Sequence, residues 1–132
     1  MLPINEISTP ALAYLGDCVI EMMVRERLVR QGIAKSGHLN AAALRYVKAS
    51  AQAEAMRRIL EALTEEEMRI YKRGRNSGHL KAPKSAGTAE YRMASGMEVL
   101  FGHLHLTDQR ERAEALFALA YPLETAQAEN EA

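Results

Sequence analysis

Helix-forming residues dominate this chain, and no stretch alternates apolar and polar residues with the period of two that marks a half-buried strand. Val, Ile and Thr, which favour strands, are sparse, whereas Ala, Leu, Met, Glu and Arg abound. The pattern therefore predicts an all-α fold. A length of 132 residues suffices for one hydrophobic core, so we expect a single helical domain over residues 1–122.

Capping signals divide the chain into helices. Thr9 is expected to be the N-cap of the first helix, with Pro10 at its first position, where the missing N–H costs nothing. Thr64 and Glu67 have the spacing of a capping box. The predicted helices run from Thr9 to about Gly32, as two helices within 38–63 that meet between Val47 and Ser50, from 64 to Gly74, from Thr88 to about Leu106, and within 107–121 before Pro122.

The sequence argues against a membrane or secreted protein. No uninterrupted apolar run approaches the roughly 18 residues that a membrane span requires. The first ten residues, MLPINEISTP, have no basic segment followed by an apolar core, so we expect no secretory signal and a cytoplasmic location. Cys18 is the only cysteine and cannot pair within the chain, which excludes a Cys-based zinc site.

The charges are unevenly distributed, although the net charge is zero. Residues 72–84, KRGRNSGHLKAPK, include five Lys and Arg residues and no acid. They overlap a predicted loop of about a dozen residues, 75–87, and loops of that length in small domains are usually functional or disordered. We therefore expect a binding segment here, and a disordered acidic tail over residues 123–132.

Asp17 stands in a segment, LAYLGDCVIEMM, that otherwise has the pattern of a buried helix. Glu21 and Arg25 follow at steps of four on the same face, and we expect them to form a surface ion pair. Asp17 has few polar neighbours, so we expect its side chain to be half-buried. A half-buried carboxylate needs a cation or hydrogen-bond donors. Its sequence neighbours are Leu15, Cys18, Val19 and Ile20.

Glu98 is a second carboxylate in an apolar helical segment, between Met97 and Val99. Small residues around it would let another helix approach closely, so the first and fifth helices can cross with Asp17 beside Glu98. Two adjacent carboxylates repel, and either one takes up a proton or a divalent cation settles between them. So few oxygen ligands suit Mg²⁺, which keeps several waters and is completed by substrate phosphates. The small residues are Ala94, Gly96 and Gly102.

The residues alone leave alternatives open. Asp17 and Glu98 are distant in sequence, and single carboxylates are often merely solvated. His103 and His105 suggest a transition-metal site with Glu98, but residues two apart on a helix point to different faces, so we interpret both as structural or exposed.

Five ordered segments of the chain resemble the ribonuclease III family. LAYLGDCVIE resembles a reduced form of its signature helix, in which a Glu precedes Leu-Gly-Asp, and SGMEVLFGHLHL resembles its later acidic helix. The chain is most similar to the mini-ribonuclease III group, which lacks a separate double-stranded-RNA-binding domain. The resemblance covers about residues 8–118. The other segments are RYVKASAQAEAM, LTEEEMRIYKRGRNSG and APKSAGTAEYRMASGMEVLFGHL.

The resemblance implies that Asp17 and Glu98 are the catalytic, metal-binding carboxylates of a Mg²⁺-dependent endoribonuclease, with Mn²⁺ able to substitute. It implies hydrolysis of double-stranded RNA to 5′-phosphate and 3′-hydroxyl ends. Two of the four family acids are absent, because Ala13 and Ser95 stand at their positions. Ser95 shares the face of Glu98, and its hydroxyl can hydrogen-bond a metal-bound water but supplies no charge.

The resemblance also implies partners. The substrate would be an RNA duplex, in particular the precursor of large-subunit (23S) ribosomal RNA, with a large-subunit ribosomal protein presenting the site. A symmetric homodimer would cut opposite strands, and the apolar residues Val19, Met22 and Met23 are either its interface or monomer core. RNA phosphates and 2′-hydroxyls are predicted to contact Arg73, Arg75, Asn76, Lys81 and Lys84.

Two other functions compete with this hypothesis. A non-catalytic module of the same fold that binds structured RNA would account for the two missing acids. A helical dimerisation protein with an incidental basic loop would account for the apolar faces, but it gives no reason for carboxylates at positions 17 and 98.

Overall fold

A computed structural model describes residues 2–77 and 88–123, and this part of the chain contains helices and no strand. No helix within it is long and apolar enough to cross a bilayer. The predicted tail lies outside the described residues beyond Leu123, as does the part of the predicted loop from 78 to 87. The helices are α1 (Thr9–Arg30), α2 (Ser36–Val47), α3 (Ala49–Ile59), α4 (Glu65–Arg75), α5 (Thr88–Leu106) and α6 (Arg110–Ala120), with short 3₁₀ helices at Ile4–Glu6 and Leu60–Ala62.

Helix α5 is the central element of the fold. It packs against α1, α4 and α3. Every residue from Ala94 to Leu104 is buried except Glu98, which is half-buried. Helix α1 covers one side of α5 with buried residues spaced four apart, as one helical face requires. These residues are Leu12, Gly16, Ile20, Val24 and Leu28.

The predicted helices are all present, with shifted boundaries: α2 begins at Ser36 instead of residue 38, and α4 ends at Arg75 instead of Gly74. At the start of α1 the shift is one residue. The N-cap is Ser8, whose Oγ accepts a hydrogen bond from the Ala11 N–H at 3.2 Å, and Thr9 is the first helical residue. The predicted N-cap, Thr9, is therefore wrong by one position, because its hydroxyl instead accepts a hydrogen bond from the Arg73 side chain. The predicted break in 38–63 falls at Lys48, where the backbone is extended.

The capping box at the start of α4 is confirmed, and it also anchors the helix to α6. The Thr64 N–H donates to Glu67 Oε1 at 2.9 Å, and the Glu67 N–H donates to Thr64 Oγ1 at 3.1 Å. The buried Glu67 carboxylate accepts two further hydrogen bonds of 2.8 Å from Arg112. This Arg112 guanidinium holds the pKa of Glu67 below its usual range, so the ion pair fastens α4 to α6.

Candidate metal centre and nucleic-acid interface

Helices α1 and α5 cross at two glycines that bring their backbones into contact. A Cβ atom at Gly16 would overlap the Glu98 carbonyl oxygen, and one at Gly102 would overlap the Leu12 carbonyl oxygen. Gly102 was predicted to permit this approach. Gly16 was missed, although its place directly before Asp17 was a signal for it. Gly96 serves a different contact, since a Cβ atom there would lie 2.6 Å from the Tyr71 ring of α4.

The crossing places the side chains of Asp17 and Glu98 together. The pKa of Glu98 is raised to about 8, first by burial, then by the negative charge of Asp17 and by a hydrogen bond between the two carboxyls. A neutral Glu98 can donate that hydrogen bond to the Asp17 carboxylate. The predicted juxtaposition is therefore present in the structure.

The expected burial of Asp17 is wrong. Asp17 is exposed, and the half-buried member of the pair is Glu98. The physical reason is that one apolar face of α1 is not covered by another helix of the described chain: Cys18 and Met22, on the same side, are exposed as well. Glu21 pairs with Arg25 on this surface at 3.0 Å, as predicted.

The two positions that lack the family acids are both buried. Ala13 belongs to a small apolar cluster, and the Ser95 hydroxyl donates to the Tyr91 carbonyl at 3.0 Å. Within residues 2–77 and 88–123, no group of three or more His, Cys, Asp or Glu side chains is placed to hold a metal ion. Asp17 and Glu98 thus form a group of two carboxylates, a donor set that suits a hard divalent cation which retains most of its waters.

His103 and His105, which we did not expect to bind metal, are separate from the carboxylate pair of Asp17 and Glu98. His103 is buried on the α4 side of α5, and its Nε2 lies 4.0 Å from Glu66 Oε1. Burial lowers the pKa of His103. His105 is exposed. The two histidines therefore lie on different faces of α5, as predicted.

The predicted RNA-binding residues have different environments. Arg73 is half-buried and tethers the N-terminal segment to α4, because its Nε donates to Thr9 Oγ1 at 2.6 Å and its Nη2 donates to the Ile7 carbonyl at 2.7 Å. Arg75 donates to Asn76 Oδ1 at 3.1 Å, at the end of α4. Lys81 and Lys84 lie outside the described residues.

The outer face of α1 exposes a stripe of apolar side chains. Tyr14 is 86% exposed and Met22 is 62% exposed. Val19 and Met23, predicted with Met22 as interface or core, are only partly exposed and pack against the hydrophobic core. Tyr14 was missed from the sequence, although it lies two turns before Met22 on the same face.

Fold and site together define a class: an all-helical domain whose first and central helices join two carboxylates at a glycine-lined crossing. A model of the ribonuclease III domain matches residues 10–109. The chain belongs to the ribonuclease III family.

Similar proteins extend over nearly the whole chain. Mini-ribonuclease 3 of Symbiobacterium thermophilum is 45% identical over 126 residues, covering 93% of this chain and 97% of the relative. Mini-ribonuclease 3 of Enterococcus faecalis is 46% identical over 114 residues, covering 85% and 86% respectively. The crystal structure of a Fusobacterium nucleatum protein matches with a TM-score of 0.77 at 28% identity, covering 86% of this chain and 91% of that one. The predicted resemblance to the mini-ribonuclease III group and the all-α fold are confirmed.

Proposed function

We propose that this chain is a divalent-metal-dependent endoribonuclease that hydrolyses phosphodiester bonds in double-stranded RNA, leaving 5′-phosphate and 3′-hydroxyl ends. The observation that carries the proposal is the meeting of Asp17 and Glu98 at the crossing of α1 and α5. Membership of the ribonuclease III family supports the reaction class, and the relatives named Mini-ribonuclease 3 support the substrate class.

Asp17 and Glu98 would hold the metal ion, Mg²⁺ or Mn²⁺. A divalent cation, when bound, supplies positive charge for the scissile phosphate and acidity for a nearby water. Glu98 is fixed by its half-buried position on the central helix, whereas Asp17 is exposed and open to the substrate. Burial and the charge of Asp17 raise the pKa of Glu98 and so disfavour its ionised form. A bound cation would stabilise that ionised form and take the place of the proton.

RNA would be bound through Arg75, Asn76, Lys81 and Lys84. Arg75 and Asn76 lie at the exit of α4, and the two lysines follow in a stretch that contains no acid. A-form RNA presents phosphates and 2′-hydroxyls to such groups without regard to sequence. Arg73 is set apart from this surface, since two of its N–H groups already bind Thr9 and Ile7.

A symmetric homodimer through the outer face of α1 would complete the enzyme. Tyr14 and Met22 are large apolar side chains exposed on one helical face, and pairing two copies of that face buries both. A two-fold dimer matches the symmetry of an RNA duplex, whose strands run in opposite directions. On the basis of the family resemblance, we propose that the substrate is the precursor of large-subunit ribosomal RNA and that a large-subunit ribosomal protein is a partner.

The test is cleavage of a perfect RNA duplex by the purified protein, with Mg²⁺ and with a chelator. The parent is expected to cut only with metal. Asp17→Asn and Glu98→Gln are expected to bind duplex but to lose about a hundredfold or more in rate, because each removes charge worth several kcal/mol to the transition state. Glu21→Gln, one turn from Asp17 and paired with Arg25, is the matched control and should cut normally.

The second candidate is a module that binds structured RNA without cutting it. It is favoured by the non-acidic, buried side chains of Ala13 and Ser95, where the family has two further acids. A parent protein that binds duplex yet cuts no substrate, precursor ribosomal RNA included, would establish this candidate and overturn the nuclease proposal.

A further inference from the structure

Helix α2 belongs to a stretch of the chain that has no acidic residue. From residue 27 to residue 53 the sequence contains five Lys and Arg residues and one histidine, but no Asp or Glu. The net charge of the whole chain is zero, so this stretch concentrates positive charge that is balanced elsewhere. A surface with one sign of charge attracts ligands of the opposite sign.

The basic side chains of this helix lie on its exposed surface. Its partly buried apolar residues pack against the hydrophobic core. His38 and Arg45 are exposed and stand seven residues apart, about two helical turns, so they share one side of the helix. Lys35 and Lys48 are exposed at the two ends. These four residues, which we call the α2 basic face, extend over about 20 Å at a rise of about 1.5 Å per residue.

The α2 basic face has no counter-charge in the described part of the chain. Across residues 2–77 and 88–123, none of its four side chains forms an ion pair. The nearest acids along the chain, Glu26 and Glu54, each pair at 3.0 Å with an arginine four residues later in their own helix. An anion that binds the α2 basic face from outside therefore meets charges without an internal partner.

The starts of two helices add partial positive charge to this face. Lys35 precedes α2 and Lys48 precedes α3, and neither of these N-cap side chains accepts a hydrogen bond from its helix. The first N–H groups of both helices are therefore not satisfied by a side-chain cap, and they lie at the positive end of the helix dipole. This partial charge has the same sign as the charges of the lysines and of Arg45.

Helix α1 fixes the position of the α2 basic face relative to the carboxylate pair. Helix α2 packs on α1, and the Arg27 guanidinium of α1 lies 5.8 Å from the ring centroid of Tyr46, the residue after Arg45. Arg27 follows Asp17 by ten positions in the sequence, which is about 15 Å along the helix axis. The α2 basic face is thus a separate surface, held at a fixed distance from the carboxylate pair.

We propose that the α2 basic face binds the phosphate backbone of an RNA duplex, as a contact away from the bond that is cut. The proposal rests on the proposed function, since it takes duplex RNA as the ligand. A duplex complements the face in charge and presents phosphates along its whole length. Arginine offers a planar fork of N–H donors to phosphate oxygens, and lysine offers a point charge. Sequence reasoning did not find this surface, because its charges are spaced along a helix and form no contiguous run.

Binding of a perfect RNA duplex, in a chelator and at several salt concentrations, tests the proposal. Arg45→Gln and Lys48→Gln are each expected to weaken binding and to make the slope of log affinity against log salt less steep by about one. Arg45→Lys keeps the charge and should keep the parent slope. Arg110→Gln on α6 is the matched control, since it removes an exposed arginine that pairs with Glu114 at 3.2 Å, and it should leave the slope unchanged.

Cleavage kinetics with Mg²⁺ test whether the contact is away from the scissile bond. Arg45→Gln and Lys48→Gln should raise KM several-fold and leave kcat near the parent value, because they remove binding that is equal in the ground state and the transition state. A lower kcat with an unchanged KM would overturn the proposed role of the α2 basic face.

The outcomes separate this inference from the proposed function. If both glutamine variants melt at the parent temperature and bind duplex with the parent affinity and slope while the parent cuts duplex, the face is solvated or binds an acidic protein, and the inference alone fails. If they lose thermal stability without a change in slope, their role is structural and the inference also fails. A parent protein that binds no duplex RNA overturns the proposed function and this inference with it.

Discussion

Gly16 packs on Glu98 so closely that any side chain at residue 16 would overlap the Glu98 carbonyl oxygen. This backbone contact puts the next residue, Asp17, beside the Glu98 side chain. The carboxylate pair therefore depends on a neighbouring residue that has no side chain. The same crossing requires Gly102 against Leu12, so it is held at two points along the helices.

Gly16→Ala is expected to destabilise the protein although alanine favours helix. The gain in helix propensity is at most about 1 kcal/mol, whereas overpacking against a backbone costs about 1–3 kcal/mol or more. The helices must also separate, which would move Asp17 from Glu98 and reduce cleavage. Chemical unfolding and the duplex cleavage assay measure the two effects.

Gly37→Ala in α2 is the control for this substitution. No atom lies within 4 Å of a Cβ at Gly37, so the change should be neutral or stabilising by up to about 1 kcal/mol. Equal effects of the two substitutions would contradict the contact between α1 and α5.

The stability of the metal-free protein should fall as pH rises from about 4.5 to about 8. The pKa of Glu98 is raised from 4.5 to about 8 in the folded chain, so the folded state binds more protons than the unfolded state between these values. The stabilising contribution is complete below pH 4.5 and is lost as pH rises through 8. Urea unfolding in a chelator at fixed protein concentration measures this, with Glu98→Gln as the comparison.

The Glu98→Gln variant has no titrating group at residue 98. Its free energy of unfolding, relative to that of the parent, should therefore increase with pH from about 4.5 to about 8. Added Mg²⁺ should restore the parent at pH 8.5, because the cation binds the ionised pair. A difference between parent and variant that is constant from pH 5 to pH 8.5 would show that Glu98 titrates normally.

Arg73→Gln should reduce stability and leave RNA binding largely intact. It removes the hydrogen bonds to Thr9 Oγ1 and the Ile7 carbonyl, and hydrogen bonds from a charged group are worth about 1.5–3 kcal/mol. Thermal unfolding measures the loss, and duplex binding at several salt concentrations gives the slope. A normal melting temperature together with a reduced slope of log affinity against log salt would show that Arg73 contacts RNA and does not tether the N-terminal segment.

Lys81→Ala should show the opposite pattern to Arg73→Gln. If Lys81 contacts a phosphate, the slope of log affinity against log salt should decrease by about one, with the sequence preference unchanged. An unaltered slope would remove Lys81 from the proposed interface.

Met22→Glu should convert a dimer to monomers. Met22 is 62% exposed on the outer face of α1, and a charge buried between two copies of that face would be unpaired. Leu44→Glu on α2, where Leu44 is 61% exposed, is the control and should leave the dimer intact. Sedimentation velocity measures both, and a monomeric parent protein would contradict the proposed interface.

The helices could be predicted because their signals are local. The capping box of Thr64 and Glu67, and the end of α1 before Gly32 with its positive φ of 87°, depend on residues a few positions apart. The shift of the first N-cap from Thr9 to Ser8 shows the limit of such signals. The Thr9 hydroxyl is taken by Arg73, a residue from a distant helix.

The two residues of the carboxylate site could be predicted from the sequence, but the burial of each side chain could not. Family resemblance and the small residues of α5 were enough to pair Asp17 with Glu98. Their exposures could not be predicted from the apolar neighbours of Asp17, because burial depends on which helix face another element covers.

By itself, the sequence determined the all-α fold, the six helices and the ribonuclease III resemblance, since helix propensity, capping and ordered motifs are properties of short segments. Only the tertiary structure decided that Asp17 is exposed, that Glu98 is half-buried with a raised pKa, and that Arg73 is a tether. Those properties arise from contacts between segments far apart in the chain: α1 packs on α5 at the carboxylate pair, and Arg73 of α4 binds Thr9 and Ile7 near the N-terminus.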